Sequence, residues 1–224
     1  AAKLIEALIS SNPQLRIGVC ATTHSAVDNV LNELLKTLPT SHINALNRIG
    51  VKNESIGLVK GKKGDKEEDR QVQFGTVFGL CKAGVDGTYF DVIFADEAGQ
   101  MSLADALAVS HSARSMVLLG DPLQLPQVSQ ASHQFGSGES VLQHFLGDEV
   151  TISSQRGLFL DVSRRMHPSI CEFISDWQYE GRLRPESSCA TLSTSVDSLT
   201  PDGTGLRMKL MNHVGNTTES SEEV

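Results

Sequence analysis

The chain has 224 residues, 39% hydrophobic and 21% charged, with a formal net charge of −8, the make-up of a soluble globular protein of one to two domains. No stretch approaches the ~20 apolar residues of a bilayer crossing, and the first residues lack a signal peptide's pattern, so a membrane role is not expected. The acidic balance argues against a broad basic surface for duplex DNA, while leaving room for a narrow groove that tracks a single strand.

In chain order, residues 1–9 read as an amphipathic helix already under way, without a cap. Arg16–Ala21 is a short apolar run, followed by Thr22-Thr23-His24-Ser25 and a helix. Ser25, with Asp28 three residues on, is the expected cap. Ala26, Val27, Val30, Leu31, Leu34, Leu35 and Leu38 mark that helix's apolar face. Residues 39–70 read as a polar, solvated connector. Gly61-Lys62-Lys63 within it faintly suggests a phosphate loop but fails the GxxxxGK[ST] pattern. Val72–Phe78, Phe90–Ala95 and Met116–Leu119 are further apolar runs, each delivering small or polar residues to the carboxyl edge of a parallel sheet, where such sheets bind ligands. Leu158–Val162 reads as one more strand. Pro168 suits the first turn of a helix, and 185–205 is a loop by composition. Ser220–Val224 resembles a helix start, so both ends read as cut. Cys20, Cys81, Cys171 and Cys189 are widely spaced with no CxxC pair. A disulfide framework or zinc site is therefore not expected, and a reducing cytoplasm fits.

Asp91-Val92-Ile93-Phe94-Ala95-Asp96-Glu97 is an apolar strand ending in two adjacent carboxylates. Nucleotide hydrolysis needs a metal held near the phosphates and a base that orients water. Asp96 suits the first task and Glu97 the second. By itself the pair fits a solvated acidic turn equally well. His24 and His167 have no third ligand at suitable spacing, which favours structural or hydrogen-bonding roles over a metal.

The context goes further. Asp96-Glu97-Ala98-Gly99-Gln100 is followed by Gly120-Asp121-Pro122-Leu123-Gln124-Leu125-Pro126, then by Ser163-Arg164-Arg165-Met166-His167-Pro168 and Tyr179-Glu180-Gly181. These segments resemble motifs II, III and IV of superfamily 1 helicases, in the branch of the nonsense-mediated-decay RNA helicases and the replication nuclease–helicases. Cys20–Asp28 resembles that branch's motif Ia and Gly75-Thr76 its motif Ic, in order over residues 1 to about 183. The wording around Asp96 and Gly120 is most similar to bacterial fusions with a RecB-like nuclease.

The resemblance implies an α/β fold, a RecA-like P-loop NTPase with a parallel sheet, here incomplete. Its first domain would cover residues 1–155, and 156–224 would begin a second RecA-like domain. ATP and Mg²⁺ would be the cofactors. Asp96 would hold Mg²⁺ through water, and Glu97 would activate the attacking water. Asp121 would join the nucleotide site. Gln124 would sense the γ-phosphate, and Arg165, rather than Arg164, would reach the same phosphate from the second domain. Thr22, Thr23, Ser25 and Thr76 would bind the backbone of a single-stranded nucleic acid, DNA in preference to RNA, with 5′-to-3′ movement. The phosphate loop expected before Ala1 and the last motifs are absent, so the chain alone is expected to be inactive. The short span between motifs Ia and Ic leaves no room for the large insertion of the RNA-decay members. An ATP-gated binding module without unwinding is the alternative.

Overall fold

The structure, a computed structural model, describes residues 1–50, 70–124 and 136–192. The chain divides into two compact units, Ala1–Asp148 and Glu149–Val224, a division seven residues before the 155/156 boundary read from the sequence. Among the described residues, no helix is long and apolar enough to cross a membrane.

The first unit is built on five parallel strands: β1 (Ile17–Ala21), β2 (Leu46–Arg48), β3 (Val72–Thr76), β4 (Phe90–Ala95) and β5 (Ala113–Leu118). Their spatial order is β2-β3-β1-β4-β5, with every pair parallel. Parallel strands need crossover connections. These are supplied by α2 (His24–Thr37), α3 (Val77–Val85) and α4 (Leu103–Ser110), while α1 (Ala2–Ser11) precedes the sheet and α5 (Val141–Leu146) comes after it.

Side chains alternate across each strand, and two apolar clusters result. On one face Ile17, Val19 and Ala21 of β1 and Phe94 of β4 pack with Ile5, Ile9, Val27, Leu31 and Leu34 of α1 and α2. On the other, Cys20, Ile93 and Ala95 pack with Leu80, Ala106, Val109 and Val141 of α3, α4 and α5. A sheet covered on both faces explains why β1 is buried at all five positions.

The second unit is described by itself. Two-residue strands β6 (Val162–Ser163) and β7 (Arg184–Pro185) pair in parallel beside α6 (Pro168–Gln178). Pro168 opens α6, capped by His167, as expected of a proline at that point.

Three expectations need correction. The cap of α2 is Thr23, whose hydroxyl accepts from the Ala26 N–H at 3.2 Å; Ser25 lies inside the first turn. The supposed connector 39–70 contains β2, a buried edge strand, together with a 3-10 turn at Thr40–Ala45; its lysine-rich part lies outside the described residues. In the run 158–162, Leu158 and Leu160 are exposed and only Val162 belongs to a strand. The second has a physical reason: a polar segment is solvated only if its side chains find no partner across the sheet. Asn47 of β2 instead bonds the Gln73 side chain of β3 at 2.6 Å, and so is buried at no great cost.

Candidate nucleotide and nucleic-acid site

All five strands of the first unit point one way, so their carboxyl ends share one edge. Asp96 and Glu97 come directly after β4 there. The Asp96 N–H donates to the Cys20 carbonyl at 2.8 Å, which extends the ladder one residue past the strand. Burial raises the Asp96 carboxyl above its ordinary value of 3.8, while a hydrogen bond from the Glu97 N–H opposes the shift. Burial also pushes the neighbouring Cys20 thiol up to about 12, so it stays protonated.

Glu97 has φ of 54°, a left-handed conformation that costs a residue with a side chain roughly 1–3 kcal/mol. The strain is held by the surrounding bonds. Ala98 donates to the Leu119 carbonyl, Leu119 to that of Ala95, and Gln100 to that of Glu97. The turn after β4 therefore lies directly against the loop after β5. A Cβ on Gly99 would fall 2.0 Å from the Asp121 carbonyl oxygen, and one on Gly120 would fall 2.8 Å from the nitrogens of Ala98 and Gly99. Two glycines let the backbones touch, which brings Asp96, Glu97 and Asp121 to one place. Asp121 Oδ1 accepts from the Leu123 N–H at 3.0 Å. Gln124 is exposed at the end of this turn; Leu125 and Pro126 lie outside the described residues.

At the neighbouring end of the same edge, β1 and β3 finish level, with Ala21 beside Thr76. Each leads into a helix capped by a threonine: Thr23 for α2, and Thr76, accepting from the Gly79 N–H at 3.2 Å, for α3. Between them is a cleft of about 420 Å³ lined by Thr22, Thr23, His24, Thr76, Val77, Phe78 and Asp105. The Thr22 hydroxyl is buried and has no hydrogen-bond partner among the described residues. Such orphans are uncommon. Ser25 is exposed in the first turn of α2 but does not line the cleft.

In the second unit Arg164 pairs with Glu186 at 3.3 Å. Arg165 is exposed and makes no ion pair or hydrogen bond among the described residues. His167 is bonded to Ser169 at 2.9 Å as part of the α6 cap, which is a structural role.

Sequence reasoning missed Arg48. It ends β2 at 1% exposure and reaches α2, where its Nε donates to Asp28 Oδ1 at 2.8 Å and its Nη2 lies 2.9 Å from His24 Nδ1. Its Nη1 donates to the Ile49 carbonyl at 3.1 Å. The one signal in the sequence is His24 and Asp28 standing four apart on one helix face.

A parallel sheet with an acidic pair after one strand, a glycine-bearing loop against it and hydroxyl-headed helices beside it is an arrangement consistent with a RecA-like α/β domain. Residues 30–201 match the viral superfamily 1 RNA helicase core domain, and the chain belongs to that family. It is 32% identical to the probable helicase senataxin of Homo sapiens over 123 residues, covering 51% of this chain and 5% of that protein. To the probable helicase MAGATAMA 3 of Arabidopsis thaliana it is 27% identical over 218 residues, covering 81% of this chain and 26% of that protein. The chain thus spans a minor part of these relatives. The expected likeness to fusions with a RecB-like nuclease finds no support in these senataxin-type similarities. Among solved structures, the arterivirus nonstructural protein 10 helicase in complex with DNA superposes with a TM-score of 0.52 at 16% identity, over 83% of this chain and 38% of that one. This likeness concerns the fold, which is RecA-like.

Proposed function

We propose that the full-length protein is an ATP-dependent, Mg²⁺-requiring motor that moves 5′ to 3′ along single-stranded nucleic acid. The observation that carries this is the apposition of the Asp96-Glu97 turn and the Gly120-Asp121 loop through Gly99 and Gly120, beside a threonine-lined cleft on the same sheet edge. Mg²⁺ takes one or two carboxylates and otherwise water and phosphate oxygens. A half-buried Asp96, already reluctant to carry its charge without a partner, fits that demand. The ion would neutralise charge on the phosphates when bound. Asp96 would hold it through water, and Glu97 would orient the attacking water. Asp121 and Gln124 would face the nucleotide from the loop after β5.

Arg165, unpaired among the described residues of its unit, is the better candidate than Arg164 for a γ-phosphate contact from a second RecA-like domain. Arg165→Ala should depress hydrolysis strongly and Arg164→Ala mildly, and Lys at 165 should rescue poorly for want of a planar fork. Equal losses at the two positions would remove the assignment.

Thr22, Thr23, Ser25 and Thr76 would take backbone phosphates of the strand. DNA is preferred as substrate on the short span between the two strand-binding segments, although the family description and some relatives point to RNA. The test is hydrolysis by the full-length protein with and without oligo-dT or oligo-rU, and displacement of duplexes with 5′ or 3′ tails. Strand-stimulated hydrolysis with displacement from a 5′ tail is expected. ATP-dependent strand capture without displacement would establish a binding module instead.

A further inference from the structure

The strand cleft has a residue behind it that none of its hydroxyls explains. Arg48 is essentially fully buried, and burying a guanidinium is costly unless it is well paired. It reaches out of β2 to grip two residues on one face of α2, Asp28 through Nε at 2.8 Å and His24 through Nη2 at 2.9 Å. Its Nη1 is bonded to the Ile49 carbonyl. A guanidinium has five N–H donors and no acceptor. His24 Nδ1 must therefore accept, and in an imidazole whose Nδ1 accepts, the proton sits on Nε2. His24 is exposed and lines the cleft together with Thr22, Thr23 and Thr76.

We propose that Arg48 is a positioning residue for the strand site: it holds His24 in the tautomer protonated on Nε2 and so presents an N–H donor to a backbone phosphate oxygen. This rests on the reading of the cleft as the strand site. The donor answers a specific need there. Asp105 lines the same cleft, and its carboxylate disfavours an incoming phosphate. The Thr23 and Thr76 oxygens accept from Ala26 and Gly79, which leaves each hydroxyl a single O–H to donate, and a ring N–H adds a further donor. A ring free to choose its tautomer would offer the phosphate a lone pair part of the time. Asp28 serves the other side of the arrangement by anchoring the same guanidinium to the helix that carries His24, one turn further on.

The experiment is a binding cycle on the full-length protein, read by fluorescence anisotropy with labelled oligo-dT and oligo-rU of equal length. His24→Ala should weaken both about tenfold, the loss of one hydrogen bond to a charged acceptor. His24→Gln keeps an acceptor for Arg48 and an N–H donor, and should recover part of the loss. Arg48→Lys keeps the charge but not the fork. It should weaken binding in the native background and add nothing further in the His24→Ala background, whereas a merely structural role would weaken both backgrounds alike. So that the test does not hang on Arg48→Lys folding, the tautomer is also read directly, from side-chain ¹⁵N resonances of histidine-labelled native protein, assigned by the peak missing in His24→Gln. Protonated Nε2 and bare Nδ1 are expected, and the reverse would overturn the proposal. So would native affinity in His24→Ala, or additive losses in the cycle. Loss confined to oligo-rU would overturn the phosphate contact in favour of the 2′-hydroxyl. A native protein that binds neither strand would instead overturn the reading of the cleft itself.

Discussion

The two halves of the sheet's carboxyl edge are built on different terms. After β1 and β3 the chain turns straight into capped helices, with Thr23 and Thr76 satisfying the first-turn N–H groups. After β4 and β5 it makes non-helical turns, one carrying Glu97 in left-handed backbone, that touch through glycines. The first half offers donors on an unstrained frame, suited to holding a polymer backbone in many registers. The second compresses two acidic loops into one place and depends on close tolerance. Function on the strand side should therefore degrade gradually under substitution, while the nucleotide side should fail abruptly.

The largest effect is expected at Glu97. Glu97→Gln in the full-length protein should lower turnover at least ~100-fold while leaving Mg²⁺·ATP and strand affinity nearly unchanged. Near-native turnover would dissolve the contrast between the halves. Next comes Gly99→Ala, where the new methyl meets the Asp121 backbone rather than a side chain that can move. A loss of about 1–3 kcal/mol in denaturant unfolding is expected, together with loss of hydrolysis but retention of nucleotide-free strand binding. Unchanged stability would show that the two loops can part freely.

On the strand side, Thr22→Val with Thr76→Val should weaken single-strand binding about tenfold, to a similar degree on oligo-dT, oligo-dA and oligo-dC. Affinity should still fall with added salt. A base-selective loss would mean that the cleft reads bases. The smallest effect on stability is expected at Asp96. Its folded carboxyl holds a proton more tightly than the unfolded one. Stability is then lost as pH rises from 3.8 through the raised folded value, and stays lost above it. Asp96→Asn should remove that pH dependence and slightly raise the metal-free thermal midpoint at neutral pH, while abolishing Mg²⁺-dependent hydrolysis. A lowered midpoint would show that the carboxylate is structurally needed.

The acidic pair and the strand before it are legible in the sequence because a parallel strand writes its burial into consecutive apolar residues and delivers its ligands immediately after them. The positions of Thr22 and Thr76 at the ends of β1 and β3 are legible for the same reason. The cap of α2 is easily misread because Ser25 with Asp28 imitates a capping box while Thr23 stands two residues earlier. Local pattern cannot choose between neighbouring hydroxyls when the helix start is set by where β1 ends. Arg48 and β2 are hidden because a three-residue edge strand has no periodicity to show, and a buried charge is recognisable only by partners twenty or more residues away. The pairing of Gly99 with Gly120 is likewise invisible, since both glycines read as ordinary turn residues until the loops are seen in contact.

β1 and β3 finish level, with Ala21 paired to Thr76, so the helix headed by Thr76 leaves at the paired position and the one headed by Thr23 two residues beyond it, on neighbouring strands about 4.8 Å apart. If these two helix starts cradle phosphates as proposed, they are marks on a single ruler, unable to change their spacing without breaking the sheet. A ruler can grip and release, but it cannot advance along what it measures. On the proposed reading, stepping would have to come from a second set of marks carried on a different body, with the unit formed by Ala1–Asp148 as the fixed gauge.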